Sequence, residues 1–225
     1  MHSHRPLATA ASALTALLLG ALALAGCTSS ASTPFAVGPA ISGEGHPTVA
    51  VIGDSIESGM GLDPDEAWPA LVAVDRRWGV QNYSVPGAGF LALGPDGQSF
   101  DAQVDRAISV RADVVLIGAS DNDLGQDTSA VASAMAKAVE RLREALPKAH
   151  ILGFNALTGE ASDDDLAPLN HALRTAVAAV GGHWLDLGQP YRGQAGLVQD
   201  DGEHPTPAGQ QAIAATVLER LDARV

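Results

Sequence analysis

The chain has 225 residues, of which 46% are hydrophobic and 17% are charged, a composition typical of one globular domain rather than a disordered chain. Its 26 acidic residues against 13 lysines and arginines give a formal charge of −13, and no basic cluster stands out, which argues against nucleic acid as a partner. The single cysteine, Cys27, excludes an intrachain disulfide and a cysteine-based zinc cluster.

The first 26 residues have the layout of a secretory signal, with Arg5 ahead of an apolar run that contains no acidic residue. The run ends Leu24-Ala25-Gly26-Cys27, which resembles the lipobox of bacterial lipoproteins, where cleavage before the cysteine exposes it to lipidation. This resemblance implies an extracytoplasmic protein attached to the cell membrane through lipid on Cys27. A membrane-spanning helix is the alternative, because about 20 apolar residues can cross a bilayer.

Residues 27–47 are rich in Ser, Thr, Gly, Pro and Ala and lack hydrophobic periodicity, which predicts a flexible tether. From residue 48 onward, strand patterns alternate with helix patterns. Short apolar runs predict five strands, over 48–52, 80–85, 112–117, 150–154 and 183–187. Amphipathic spacing predicts helices over 67–77, 100–110, 128–146, 163–180 and 207–223. Residues 48–225 should therefore form one α/β domain, with a five-stranded parallel sheet covered on both faces.

Polar and glycine residues follow the strands at the edge where such sheets bind ligands, beyond the strand carboxyl ends. Ser55 comes shortly after the first strand, Gly87-Ala88-Gly89 after the second, Asn122 after the third, and Asp201 with His204 in the last loop. A hydroxyl, backbone amides, a side-chain amide and an Asp/His pair are the parts that acyl transfer through a serine requires.

The spacing Asp201-x-x-His204 has a mechanical interpretation. Three residues apart on a tight turn, the carboxylate can meet one imidazole nitrogen and leave the other for a serine hydroxyl. Pro205 disfavours the helical conformation at His204 and so keeps it in the loop, while Thr206 has the chemistry of a helix N-cap. The motif by itself is weak, because a surface loop can hold an Asp and a His by chance.

Together these residues resemble the SGNH (GDSL-type) hydrolase family. Gly53-Asp54-Ser55 is similar to its first block, Gly87 or Gly89 to its second, Asn122-Asp123 to its third and Asp201-x-x-His204 to its fourth, in the family's order. The resemblance implies a flavodoxin-like three-layer α/β/α fold and hydrolysis of esters or thioesters without a metal or other cofactor. It implies Ser55 as nucleophile, His204 as base and Asp201 as its partner.

The oxyanion hole implied by the resemblance consists of the Ser55 amide, a second-block glycine amide and the Asn122 side chain. Two points stay open in the sequence. Gly87 is preferred to Gly89 only weakly, and a shifted register would put Asp121 in the place of Asn122. The third block also carries Ser120 where the family usually has glycine.

The sequence therefore predicts a lipid-anchored serine esterase whose substrate is an acyl ester. The alternatives are an acyltransferase that uses the same residues to acylate a sugar, and a non-catalytic envelope-binding lipoprotein. The loops after the strands are short and polar, which favours short acyl groups, with O-acetyl groups on carbohydrates as one candidate. Six apolar residues in these loops could line an acyl slot: Met60, Leu62, Phe90, Leu91, Leu93 and Leu197.

Overall fold

The computed structural model describes residues 45–223. The predicted signal segment, Cys27 and nearly all of the predicted tether lie outside this range. Five strands form one parallel sheet: β1 (Thr48–Ile52), β2 (Gly79–Asn82), β3 (Val114–Gly118), β4 (His150–Phe154) and β5 (His183–Leu185). Six α-helices surround it: α1 (Ser55–Ser58), α2 (Trp68–Arg76), α3 (Phe100–Ser109), α4 (Thr128–Ala145), α5 (Asp163–Ala179) and α6 (Pro207–Asp222).

The strand order is β2-β1-β3-β4-β5, which is the order of the flavodoxin-like fold that the resemblance implies. The order reverses between β1 and β3, since the chain goes from β1 outward to β2 and then returns to pair β3 with the other edge of β1. Loops that leave these two strands diverge and open a crevice at the carboxyl edge. Ser55 and Asn122 follow the two strands that border this crevice.

Two apolar layers cover the two faces of the sheet. Alternate residues of β1 point to opposite sides, as the two-residue period of a strand requires. Ala50 and Ile52 are fully buried in the layer with α3, α4 and α5, whereas Val49 and Val51 are fully buried in the layer with α2 and α6. The three-layer α/β/α architecture is confirmed.

Most predicted elements are observed within two residues of their predicted ends, because several ends are set by local caps. Asp127, Ser162 and Thr206 each accept a backbone amide at the start of a long helix. The second and fifth strands are shorter than predicted. β2 ends at Asn82, whose side-chain oxygen accepts the amide of Ser84. β5 ends at Leu185, and the amide of Leu187 donates to the side-chain oxygen of Asn155.

Two short elements were missed at the carboxyl edge of the sheet. They are α1 and a 3₁₀ turn over Asp121–Asp123. Each follows a strand after two residues and spans only three or four residues, too few for a hydrophobic period to appear in the sequence. Both bring candidate site residues to the crevice.

Candidate active site

Ser55 is the first residue of α1 and projects from a tightly capped turn. Oδ1 of Asp54 accepts the amide of Ile56 at 3.0 Å, and Oε2 of Glu57 accepts the amide of Asp54 at 3.0 Å. This reciprocal capping box fixes the backbone on both sides of the serine. Within the described chain, neither the amide nor the hydroxyl of Ser55 has a hydrogen-bond partner, so both are available to a ligand.

Asp201 and His204 form the pair that their spacing predicts. Nδ1 of His204 lies 2.7 Å from Oδ2 of Asp201. Oδ1 of the same carboxylate accepts the backbone amides of Glu203 and His204, both at 3.0 Å. These bonds hold the pKa of Asp201 down to about 2, with the His204 amide as the largest cause and the imidazole next. Asp201 therefore stays ionised at neutral pH and orients the imidazole, leaving Nε2 for a second partner.

Two glutamines connect the segment that carries Ser55 to the chain around His204. Nε2 of Gln199 lies 3.0 Å from the carbonyl of Met60 and 2.9 Å from that of Pro205. Gln210, on α6, is completely buried and donates to the carbonyl of Ile56 at 2.9 Å. The side chains of Gln199 and Gln210 thus hold the segment that carries Ser55 against the segment that carries His204.

The structure distinguishes the two second-block glycines. Gly87 is exposed, has a positive φ of 74° and borders the cleft, and its amide has no partner in residues 45–223. The amide of Gly89 already donates to the carbonyl of Ala92 at 3.0 Å, and a Cβ there would lie 2.6 Å from a carboxylate oxygen of Asp123. Only the Gly87 amide is therefore free to donate to a ligand.

Asn122 is held at the opposite wall of the crevice by Ser120. The backbone amide of Asn122 lies 3.2 Å from Oγ of Ser120, and its Nδ2 lies 3.0 Å from the same oxygen and 3.2 Å from the carbonyl of Ala88. Asp121 faces the same cleft, but its carboxylate, when ionised, has no hydrogen to offer an oxyanion. Asn122, whose side-chain amide always carries hydrogens, is therefore the candidate for the side-chain donor of the third block.

Asp123 binds the backbone of the loop that follows Gly87 and Gly89. Its buried carboxylate accepts three consecutive backbone amides, those of Phe90 at 2.7 Å, Leu91 at 2.9 Å and Ala92 at 2.9 Å. The loop that carries Gly87 is thereby tied to the 3₁₀ turn that carries Asn122.

A cleft of about 480 Å³ collects these groups. Ser55, Gly87, Asn122 and His204 line it, and Asp201 stands behind the imidazole. The other lining residues are Met60, Pro86, Leu93, Gly94, Pro95, Asp121 and Glu203. Of the six apolar residues expected at an acyl slot, Met60 and Leu93 line this cleft. Phe90 instead packs in the core, 4.9 Å from the ring of Phe100, so its predicted place at the slot is wrong.

A family model matches residues 51–212, the range that contains all of these groups, and it describes the GDSL-like Lipase/Acylhydrolase family. The chain belongs to this family. As a GDSL-like enzyme it is a carboxylic ester hydrolase, as the sequence predicted. No curated protein matches the chain in sequence.

Solved structures share the fold of this GDSL-like enzyme at low sequence identity. The psychrotrophic esterase EstA from Pseudoalteromonas sp., inhibited by monoethylphosphonate, is 16% identical with a TM-score of 0.65, over 79% of this chain and 97% of that one. A family two carbohydrate esterase from Clostridium thermocellum, in complex with cellohexaose, is 16% identical with a TM-score of 0.66, over 79% and 64%. TesA is 21% identical with a TM-score of 0.64, over 79% and 99%.

Buried or half-buried carboxyl groups lie at or next to the candidate site, among them Asp54, Glu57, Asp121 and Glu203. Burial raises the pKa of Asp54 well above its usual range, and the charge of Glu57 raises it further. Burial also raises the pKa of Asp121 to about 6, with the charge of Asp54 as the second cause. Glu203 has a raised pKa because of burial and the neighbouring Asp121. The cleft lining contains the carboxyl groups of Asp121 and Glu203 and no lysine or arginine.

Sequence reasoning assigned no role to three residues that organise the site: Ser120, Asp123 and Glu203. Ser120 and Asp123 flank Asn122 in the third block, whereas Glu203 is marked only by standing next to His204. Asp54 caps α1, and Trp68 is fully buried with its ring against that of Phe154.

Within residues 45–223, no helix has the length and hydropathy needed to cross a bilayer. The same residues contain no cluster of three or more His, Cys, Asp or Glu side chains suited to a metal ion.

Proposed function

We propose that this protein is a lipid-anchored extracytoplasmic serine esterase that hydrolyses short-chain acyl esters through Ser55, His204 and Asp201. The observation that carries the proposal is the 2.7 Å contact between Nδ1 of His204 and Asp201, with the histidine and Ser55 lining one cleft. The carboxylate fixes the tautomer that leaves Nε2 unprotonated, which is the form of imidazole that can accept a proton from a serine.

The first half-reaction forms an acyl-enzyme. Oγ of Ser55 attacks the ester carbonyl carbon while Nε2 of His204 takes the hydroxyl proton. The tetrahedral intermediate then collapses, the bond from carbon to the alcohol oxygen breaks, and the imidazolium returns the proton to the departing alkoxide. Asp201 stabilises the transient imidazolium without itself becoming protonated, which its low pKa favours.

The oxyanion of the intermediate would receive the amides of Ser55 and Gly87 and one hydrogen of the Asn122 side chain. The two amides are unpartnered in the described chain, so they require no rearrangement. Both hydrogens of Asn122 already face protein acceptors, at 3.0 and 3.2 Å, so one of these bonds must be exchanged for the oxyanion. Negative charge on the intermediate favours that exchange.

The second half-reaction returns the enzyme to its starting state. His204 takes a proton from water, the resulting hydroxide attacks the acyl carbon, and the proton passes to Oγ of Ser55 as the carboxylic acid leaves. A sugar hydroxyl in place of this water would make the enzyme an acyltransferase. Adding a sugar acceptor and analysing products separates the two reactions.

The principal test is active-site labelling with a fluorophosphonate probe. The wild-type protein should be labelled, and Ser55→Ala should abolish both labelling and hydrolysis of 4-nitrophenyl acetate, with a loss of several orders of magnitude in rate. Ser109→Ala is the matched control, because Ser109 is exposed on α3 and should keep both properties. Equal labelling of wild type and Ser55→Ala would refute the proposal.

The apolar part of the cleft supports a preference for short acyl groups. Met60 and Leu93 are 47% and 63% exposed at its rim, and the remaining lining is proline, glycine or polar. A buried methylene contributes about 0.8 kcal/mol only while there is apolar surface to cover it. Across 4-nitrophenyl esters, kcat/KM should peak at acetyl to butyryl and fall by octanoyl, whereas a rise through dodecanoyl would contradict this substrate class.

Carbohydrate acetates are the natural esters to test first. Proteins of the same fold include family two carbohydrate esterases from Clostridium thermocellum, Corynascus thermopiles and Cellvibrio japonicus. Acetate release from acetylated glycans, followed by chromatography, would support the assignment. Hydrolysis of 4-nitrophenyl acetate without any release from a panel of acetylated glycans would direct attention to other short esters.

Lipid attachment is tested at Cys27. In a bacterium with lipoprotein processing, the wild-type protein should fractionate with membranes and incorporate labelled fatty acid, and Cys27→Ala should do neither. A Cys27→Ala variant that still fractionates with membranes would support the alternative of an uncleaved helical anchor.

A further inference from the structure

Glu203 stands directly before His204, yet its carboxylate binds a distant part of the chain. Oε2 of Glu203 accepts the hydroxyl of Thr158 at 2.9 Å and the amides of Gly159 and Glu160, each at 3.1 Å. These three donors belong to the loop that follows β4, and Thr158 is completely buried. One oxygen thus anchors the segment over residues 199–205, here named the triad loop, to the body of the domain.

The backbone around Glu203 is fixed as tightly as its side chain. A Cβ added at Gly159 would lie 2.2 Å from the carbonyl oxygen of Gly202 and 2.6 Å from that of Glu203, so the two backbones approach as closely as a glycine permits. The hydroxyl of the fully buried Tyr191 donates to the carbonyl of Glu203 at 3.1 Å. The peptide unit that enters His204 is therefore held on both sides.

The same anchor also acts on Asp201. Oδ1 of Asp201 accepts the amide of Glu203 at 3.0 Å, so displacement of Glu203 removes one of the bonds that orient this carboxylate. The imidazole itself is bound by Asp201 and not by Glu203. Glu203 is placed to act on the histidine through the loop and not as its partner.

We propose that Glu203 is a positioning residue for the esterase reaction: by binding Thr158, Gly159 and Glu160 it fixes the triad loop so that His204 faces Ser55. The inference rests on the proposed role of His204 as the base. It extends that function because the position of the His204 imidazole then depends on the contact between Glu203 and Thr158, which are 45 residues apart in the chain.

A carboxylate at this position is not required for its charge, because a single oxygen accepts all three hydrogen bonds. Glutamine can present an amide oxygen to the same donors, whereas alanine offers no acceptor. Burial and the facing Asp121 both disfavour a second negative charge here, since they raise the pKa of Glu203. Glu203→Gln should therefore preserve the anchor, and Glu203→Ala should remove it.

The experiment compares steady-state hydrolysis of 4-nitrophenyl acetate and fluorophosphonate labelling rates in four proteins: wild type, Glu203→Ala, Glu203→Gln and Asp200→Asn. Glu203→Ala should lower kcat on the order of 10–100-fold, with KM within about threefold of wild type, because a loosened base affects the transition state more than substrate binding. Glu203→Gln should recover most of this loss. Asp200→Asn removes a charge from the same loop and should behave as wild type, because Asp200 is exposed.

Three outcomes would overturn the inference. They are a kcat of Glu203→Ala within threefold of wild type, equal impairment of the alanine and glutamine variants, and a loss that appears in KM alone. Full activity of Ser55→Ala would instead refute the proposed function, so the two failures can be told apart. If Glu203→Ala does not fold, Thr158→Val tests the same anchor from its other side and should lower kcat while KM stays constant.

Discussion

The hydroxyl of Ser120 donates a hydrogen bond to Oδ2 of Asp54 at 2.6 Å, and both side chains are almost completely buried. The two residues are 66 positions apart in the chain. Ser120 also contacts the side chain of Asn122, and Asp54 directly precedes Ser55. Ser120 occupies the third-block position where the family pattern usually has glycine. At this position the hydroxyl links the turn that carries Ser55 to the turn that carries Asn122, so a serine here has a structural role.

Ser120→Ala should therefore weaken both stability and turnover. It leaves a buried carboxyl oxygen without its hydrogen-bond partner, which costs about 1–3 kcal/mol, and it removes an acceptor that orients Asn122. We expect the free energy of unfolding to fall by that amount. We also expect kcat to fall roughly tenfold, which is less than the ~10²-fold loss that follows when a catalytic group is displaced by about 1 Å. Urea unfolding and ester hydrolysis measure the two effects.

Ser84→Ala is the matched control for this prediction. Oγ of Ser84 is also buried but has no hydrogen-bond partner among the described residues. Removing it should leave stability unchanged or slightly higher. If Ser84→Ala and Ser120→Ala lower the free energy of unfolding by the same amount, the hydrogen bond between Ser120 and Asp54 does not stabilise the fold.

Asn122→Ala should lower kcat with little change in KM. Removing one oxyanion donor typically costs about 10²–10³ in kcat, because the bond forms fully only in the transition state. Asp121→Ala is the neighbouring comparison and should lose much less. The reverse ranking of the two variants would show that Asp121 occupies the donor's place and that the third block is shifted by one residue.

The half-buried carboxyl of Asp121 predicts a specific pH dependence of stability. Its pKa of about 6 in the folded protein exceeds the ordinary 3.8, so between these values the folded state binds more protons than the unfolded state. The contribution of Asp121 to stability therefore falls as pH rises from about 4 through 6. The free energy of unfolding of Asp121→Asn, measured relative to wild type, should rise over that range and level off above it.

Denaturant unfolding at pH 4.5, 6 and 8 measures this difference. Asp96→Asn supplies the control, because Asp96 is exposed in the loop before α3. Its difference from wild type should stay nearly constant with pH. A constant difference for Asp121→Asn as well would show that the carboxyl titrates normally in the folded protein.

The cleft should discriminate among substrates by charge. Asp121 and Glu203 line it and no lysine or arginine does. A like charge about 8 Å away costs about 2 kcal/mol at an effective dielectric constant of about 20. We expect kcat/KM for mono-4-nitrophenyl succinate to be at least tenfold below that for the neutral butyrate ester.

Ionic strength and one variant check the origin of this effect. The difference between the two esters should narrow in high salt, where exposed charges are screened, and in Asp121→Asn. Equal kcat/KM values for both esters at low salt would mean that the carboxylates do not face the bound acyl group.

Local sequence was sufficient for the parts of this enzyme that depend on near neighbours. Asp201 and His204 are three residues apart, so one tight turn accounts for their contact. Ser55 follows a short β-branched strand, and parallel strands bring their carboxyl ends to one edge whatever their order. The sheet and its long helices were predicted for the same reason, since strand runs, helical periodicity and N-cap side chains are all local signals.

Tertiary structure decided the contacts that join distant segments. The sequence separates Gly87 from Gly89 only weakly, whereas among the described residues Gly87 lines the cleft with a free amide and the Gly89 amide is already bonded to Ala92. Glu203 binds Thr158 at a separation of 45 residues, and Ser120 binds Asp54 at a separation of 66 residues. No motif or periodicity in the sequence connects positions so far apart. These contacts depend on how two loops pack, because a buried oxygen takes whichever donors the fold brings within about 3 Å, and that choice is not encoded in the spacing of either segment alone.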